Sequence, residues 1–360
     1  MSERPPIIDA DGHILERQSD IAKYLQPPCD RRTTPLFPGD QPWDHQLFHT
    51  RPGTQIGHDR YYEGDMSPDE QIAEWHRIMD REAIELAVCF PTGSGNVPKI
   101  HEHDFQVAVA RACNDHFAQE YNARSDRIRC VGVLPLEEPA AAVAEVRRAT
   151  ELGLPGFELL TTGTERGLGD PRYHPIFAEA ERVGAAMCIH GTRGSAGEVG
   201  GLKLANFNEV HCYVFPAAML LQFTSVIFQG IPVLFPNLRL AFLEIGVSWL
   251  PYYLDRMDEH WEKRAEYEAP LLKKKPSDVV RESKIYFSIE AGESLLPQTV
   301  DYLGADHFVY ASDIPHWDNE FPESVEHLWN RPDLSRDIKE KIIYHNAKSL
   351  FALDKVPLAA

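Results

Sequence analysis

Eight short runs of apolar and β-branched residues recur along this chain, and a longer stretch of helical character follows each. The runs fall at 6–10, 85–90, 129–134, 156–160, 185–189, 239–243, 284–288 and 307–311. Strands alternating with helices in that number are what a closed parallel barrel requires. The expected fold is therefore α/β, a (β/α)8 barrel, with residues 1–360 forming one domain. That length is within the range of a single barrel with insertions.

The intervening segments carry helix punctuation. Ser67-Pro68-Asp69-Glu70 is a capping box with proline at the first helical position, and it predicts a helix through Arg81. The Ala- and Glu-rich stretch after Pro139 should stop at Gly153, and the one after Pro175 at Gly184. Trp249, Tyr253, Leu254, Met257 and Trp261 recur at helical spacing and should pack on the barrel rather than bind a ligand. A last helix is expected over 334–353. Two connections are long: 26–64, rich in proline, arginine and aromatics, and the Gly-rich 192–207. Both leave the C-terminal ends of strands, where barrel enzymes build sites and lids. Their aromatics and those on their borders (Trp43, Phe48, Tyr61, Tyr62, Phe207 and Tyr213) fit a pocket for an apolar or aromatic molecule, or simply anchor the loops.

Charge narrows the partners. With 36 basic against 55 acidic side chains, the net charge of −19 repels phosphate backbones and anionic lipid surfaces. A small-molecule substrate is expected, and neither nucleic acid nor membrane. No apolar run reads as long enough to span a bilayer, and the first residues lack the apolar core of a signal peptide. The six cysteines are scattered without a CxxC pair and read as reduced core residues, consistent with a cytoplasmic protein.

Ionisable residues gather where the strands end. The first run continues Asp9-Ala10-Asp11-Gly12-His13, and positions two apart share a strand face, so Asp11 and His13 can converge on one cation. Asp9 falls on that face one step deeper. The fourth run holds Glu158, the fifth ends in His190, the sixth in Glu244, and the eighth in Asp313 followed by His316. Four like charges in one barrel mouth cannot all stay ionised unaided. One divalent ion would leave two of the four carboxylates unbalanced, whereas two ions would match them, with His13 and His190 as neutral ligands. A nearby arginine or a protonated acid could also make up the difference. The metal-ligand candidates are therefore Asp11, His13, Glu158, His190, Glu244 and Asp313. The cofactor would be one or two divalent ions, iron, manganese or zinc. A bound ion would activate water or polarise a carbonyl, with Glu244, His211 or His316 handling the proton and His211 also touching substrate.

Each residue has a plainer reading. His190 alone would be a hydrogen-bonded core histidine, and only its place in the constellation favours a ligand. Glu158 or Glu244 could instead pair with an arginine. His101-Glu102-His103 enters a helix, where positions two apart do not share a face. Lys273-Lys274-Lys275 reads as a solvated helix end. Arg193 and Lys203 on the Gly-rich loop are most simply exposed charges, with Arg193 kept as a candidate substrate contact.

These residues resemble the amidohydrolase-2 family, which includes the aminocarboxymuconate semialdehyde decarboxylase-like proteins. The similarity runs from Ile7 to about Leu353 and rests on Asp9–His13, His190, the segment 235–244 and the segment 310–316. It implies a (β/α)8 barrel, a metal held by Asp11, His13, His190 and Asp313, hydrolase or nonoxidative decarboxylase activity, and commonly a homodimer. Two departures stand out. The decarboxylases usually carry a catalytic histidine where this chain has Glu244, and many mononuclear members lack an acid at the place of Glu158. In binuclear members the fourth strand supplies a bridging ligand, a role open to Glu158. The leading expectation is hydrolysis of a C–N or ester-type bond by metal-activated water. A non-heme diiron monooxygenase is the alternative, since carboxylate-rich sites suit hard transition metals, and nonoxidative decarboxylation is the third.

Overall fold

The first strand, β1 (Ile7–Ile14), is buried at all eight positions. A strand walled in on both faces belongs to a covered parallel sheet. The computed structural model, which describes residues 4–32, 35–37, 66–191, 197–316, 319–320 and 322–354, places β1 in such a sheet. The others are β2 (Ile84–Pro91), β3 (Ile128–Cys130), β4 (Gly132–Val133), β5 (Gly156–Leu160), β6 (Ala186–His190), β7 (Arg239–Leu243), β8 (Ile285–Ile289) and β9 (Phe308–Tyr310). All pairings are parallel, in the order β1-β2-β3 and β4-β5-β6-β7-β8-β9. β3 and β4 are two pieces of the third barrel strand, since Val131 N between them donates to Cys89 O on β2 at 3.0 Å. The barrel closes where His13 N donates to Ile314 O at 2.8 Å and Asp313 N to Asp11 O at 2.9 Å. The chain is thus an α/β barrel, with seven strands within a residue of the runs read from the sequence and β1 running four residues past its run, to Ile14.

The interior beneath the mouth is apolar, filled by Ile8, Ala10, Leu86, Val88, Ala186, Cys188, Ala241 and Val309. The far end is plugged by Ala347, Leu350 and Phe351 of the terminal helical stretch, which contains a π turn at Lys341–His345. The capping box at Ser67 forms and opens the helix Pro68–Glu82. That helix sends Trp75 under β1, where its indole donates to His13 O at 3.1 Å. A side chain at Gly12 would meet the Trp75 ring at 2.4 Å, so the Asp-Gly-His sequence leaves room for that indole. Helices end ahead of Gly153 and Gly184, both left-handed at φ 95° and 75°. Leu250, Leu254 and Met257 of helix Leu250–Glu268 are buried, and Trp249, Tyr253 and Trp261 pack against the core as expected.

Three expectations need correction or relocation. The Gly-rich connection runs into a 22-residue helix, Phe207–Phe228, capped by Asn206 accepting from Glu209 N. Its Asn208–Phe228 segment is, among the described residues, the one helix apolar and long enough to cross a membrane, with mean hydropathy 1.5. Glu209, His211, Pro216 and Gln222 interrupt the run and hide this in the sequence. Half of the segment is buried within the fold. All six cysteines are free, but Cys212 is exposed and Cys29 half-buried, so they are not core residues; Cys212 lies on the outer face of that helix. Residues 38–65 and 192–196, with Trp43, Phe48, Tyr61, Tyr62 and Arg193, lie outside the described residues.

Candidate metal centre

The parallel barrel sets all its strand ends at one mouth, and seven ionisable side chains meet there. Asp11 and His13 come from β1, Glu158 from β5 and His190 from the end of β6. Glu244 follows β7, and Asp313 and His316 follow β9. All six metal-ligand candidates from the sequence are therefore brought to one place, with His316 beside them.

The distances are those of a site built around positive charge. His190 Nε2 lies 3.2 Å from Asp11 Oδ1, and His13 Nε2 lies 3.2 Å from Asp313 Oδ1. His190 Nδ1 faces Glu244 Oε2 at 3.2 Å and Glu158 Oε1 at 3.7 Å. His316 Nδ1 reaches Asp313 Oδ1 at 2.6 Å and Glu244 Oε1 at 3.5 Å. His190 Nδ1 is also 2.9 Å from Gly191 O, and an Nδ1–H donating a hydrogen bond to that carbonyl leaves Nε2 with the lone pair for a metal.

Burial makes these charges expensive. Asp11, His13 and His190 are at most 2% exposed. Burial drives the Glu158 carboxyl up to about 8 and the Asp9 carboxyl up to about 7. Burial alone would lower the His190 imidazole, but Glu244, Asp11 and Glu158 push it well up. His316 follows the same pattern and rises to about 10, because Asp313 and Glu244 outweigh its burial. Asp313 is held low: burial would raise it, but His316 and His13 prevail.

Several buried atoms in this cluster have no hydrogen-bond partner: Asp11 Oδ2, Glu158 Oε2, Glu244 Oε2, His316 Nε2 and both nitrogens of His13. Orphaned lone pairs on carboxylates and imidazoles at one point are the donor set of a divalent transition metal. Ligand atoms within 4.8 Å of one another form two groups, Asp11, His13 and His190, and His13, Glu244, Asp313 and His316. The residues present fit a metal ion.

The backbone is bent to deliver them. Glu244 and Asp313 take left-handed conformations, φ 77° and 53°, a strain of about 1–3 kcal/mol each that concentrates at functional sites. Glu244 N is held by Ser288 Oγ at 2.8 Å. Glycines leave room for the acids: a methyl at Gly191 would meet Glu244 Oε2 at 2.4 Å, and one at Gly95 would meet Glu158 Oε2 at 2.9 Å.

Sequence reasoning left Asp9 without a role. Its Oδ2 accepts from Ser312 Oγ at 2.5 Å, and its Oδ1 accepts from Ser312 N at 3.0 Å and Asp11 N at 3.2 Å. This clasp fixes the two backbones that carry Asp11 and Asp313. The i, i+2 alternation already pointed to Asp9; Ser312 gave no signal.

Beside the cluster is a cavity of about 130 Å³. Asp11, Glu244 and Asp313 form part of its lining, with apolar surface from Phe215, Ile289 and Ala291. His211 lines it too and stacks on Phe215, ring centroids 4.5 Å apart. Five carboxylates and no lysine or arginine appear among its described lining residues. His103 is exposed and paired with Glu138 at 2.6 Å, and Lys274 and Lys275 pair with Glu282 and Glu262, so the plainer readings hold there. Lys203 is exposed.

The amidohydrolase family model matches residues 8–353. The chain belongs to the amidohydrolase family. The 2-amino-3-carboxymuconate-6-semialdehyde decarboxylase of Dictyostelium discoideum is 27% identical over 290 residues, covering 80% of this chain and 77% of that protein. An amidohydrolase from Mycobacterium avium subsp. paratuberculosis K-10 superposes with a TM-score of 0.76 at 18% identity, covering 97% and 100% of the two chains. A dihydroxybenzoic acid decarboxylase from Polaromonas sp. JS666, solved with bound manganese and the inhibitor 2-nitroresorcinol, gives 0.64 at 20% identity, over 78% and 86%. The barrel is thus common to this amidohydrolase and its solved relatives, and its mouth carries carboxylates and imidazoles suited to a divalent ion.

Proposed function

We propose that this amidohydrolase holds two iron or manganese ions and uses them to hydroxylate a small apolar or aromatic molecule with dioxygen. The observation that carries this reading is the convergence of four carboxylates with three imidazoles at one barrel mouth. Two divalent ions balance four carboxylates in charge, and oxygen-rich donor sets with a few histidines suit hard, redox-active metals. The four-carboxylate, two-histidine sets of di-iron carboxylate proteins follow the same rule. When bound, such ions supply Lewis acidity and one-electron chemistry.

The chain's own residues hold and orient. Phe215, Ile289 and Ala291 offer an apolar wall against which a ring can lie. His211 stands on that wall, where it can move a proton at the substrate. The overall change would be R–H + O2 + 2 e− + 2 H+ → R–OH + H2O, with the electrons from an external reductant.

A second reading, nonoxidative decarboxylation, is favoured by the relatives, whose names are those of decarboxylases. Against it stand Glu244 in place of a histidine and a cavity without a described cation for a substrate carboxylate. Hydrolysis by metal-activated water would use the same ligands, and it would appear as product formed without oxygen uptake. The test is to supply iron-loaded protein and ascorbate with a panel of substituted benzenes, phenols and benzoates. Substrate-dependent oxygen uptake with a hydroxylated product supports the proposal. Carbon dioxide release from a benzoate under argon, with no oxygen uptake in air, overturns it in favour of the second reading.

A further inference from the structure

The cluster is not symmetric. Asp11, His13 and His190 are at most 3% exposed by side chain, whereas Glu244, Asp313 and His316 are 12%, 23% and 18% exposed. Glu244 and Asp313 line the cavity, and of the more buried group Asp11 alone reaches it. The turn after β9 returns His316 to the site through His316 N donating to Asp313 O at 2.8 Å. Its ring then lies against that of His13, centroids 4.0 Å apart, with Nε2 orphaned. Asp313 Oδ1 stands between the two halves, 3.2 Å from His13 and 2.6 Å from His316. Glu158 joins neither group and faces the Nδ1 side of His190.

We infer that His316, with Glu244 and Asp313, forms the outer of two metal positions, and that Asp313 bridges it to an inner position formed by Asp11, His13 and His190. This rests on the two-metal reading and deepens it. His316 becomes a ligand rather than a proton carrier, and Glu158, 3.7 Å from His190 Nδ1, balances charge without binding a metal. His13, 1% exposed, belongs to both groups, and its Nε2 faces the bridging Asp313 Oδ1 at 3.2 Å. The outer position is the more exposed and has two of its three residues on the cavity against one for the inner, so its ion is the more exchangeable and the nearer to substrate.

The full-length chain, stripped by chelator and titrated with Mn2+, tests this by elemental analysis and electron paramagnetic resonance. The wild type should take up two ions with an exchange-coupled signal. His316→Gln should keep one, with the six-line spectrum of isolated Mn2+, and Glu158→Gln should keep both. If His316→Gln proves unstable, Glu244→Gln reads the same position. Two coupled ions in the position-316 and position-244 variants, or the loss of an ion from Glu158→Gln instead, would overturn the assignment. A wild type that binds a single ion would overturn the two-metal reading itself, an outcome distinct from failure of this assignment.

Discussion

His190 and His116 are both buried, at 2% and 1% exposure, and they have opposite surroundings. His190 stands at the barrel mouth among Asp11, Glu158 and Glu244, which push its imidazole well up. His116 lies on the barrel's flank near the end of helix His103–Phe117, with Tyr24, Phe117 and Tyr121 around its ring at 5.6–5.7 Å. Neither of its nitrogens has a hydrogen bond, and burial lowers it to about 4. A buried histidine is therefore no sign of a site by itself. What distinguishes the mouth is that carboxylates from several strands arrive at the same imidazole.

The sharpest way to break this contrast is to remove one histidine from each region. His190→Ala should lose metal and lower turnover by about a thousandfold or more, since metal-borne charge stabilisation amounts to several kcal/mol. His116→Phe should change neither metal content nor turnover. Equal losses from both, in metal analysis and steady-state assays, would contradict the contrast.

The flank should reveal itself in acid. The folded His116 stays neutral below the unfolded value of 6.5, so its share of stability is present above pH 6.5 and lost as pH falls toward 4. The loss is on the order of 3 kcal/mol at the bottom of that window. Urea unfolding of wild type and His116→Phe at pH 7, 5.5 and 4.5 should show the wild type losing relative stability. Parallel pH profiles would contradict this.

Ser312→Ala sharpens the mouth. Removing the hydroxyl from the Asp9 clasp should weaken metal binding by about 10–100-fold, as loss of a ligand's supporting hydrogen bond does elsewhere. Competition with a metal-sensitive dye reads the change, and unchanged affinity would deny the clasp its role. The smallest effect belongs outside both regions: Ser67→Ala should cost about 1 kcal/mol of stability with full metal content, measured by thermal melting and elemental analysis.

Much of this was legible in the residues. The strand runs announce themselves because a barrel buries both faces of each strand, and Ser67, Gly153 and Gly184 mark helix ends through local chemistry. Asp11, His13, Glu158, His190, Glu244 and Asp313 were legible because a parallel barrel sets strand ends in one ring. The helix Phe207–Phe228 was not, since its apolar residues go nearly all the way round and Pro216 sits inside it. Nor was the Asp9–Ser312 clasp, which joins residues 303 positions apart and depends on barrel closure. The pairing of His316 with Asp313 required the turn after β9, which no periodicity encodes.

The central claim is that the mouth holds two metal ions. Elemental analysis of chain purified without chelators and without a metal-binding tag tests it most directly. Two ions of iron or manganese per chain are predicted, and a single ion per chain, with no further uptake on titration, would contradict the account.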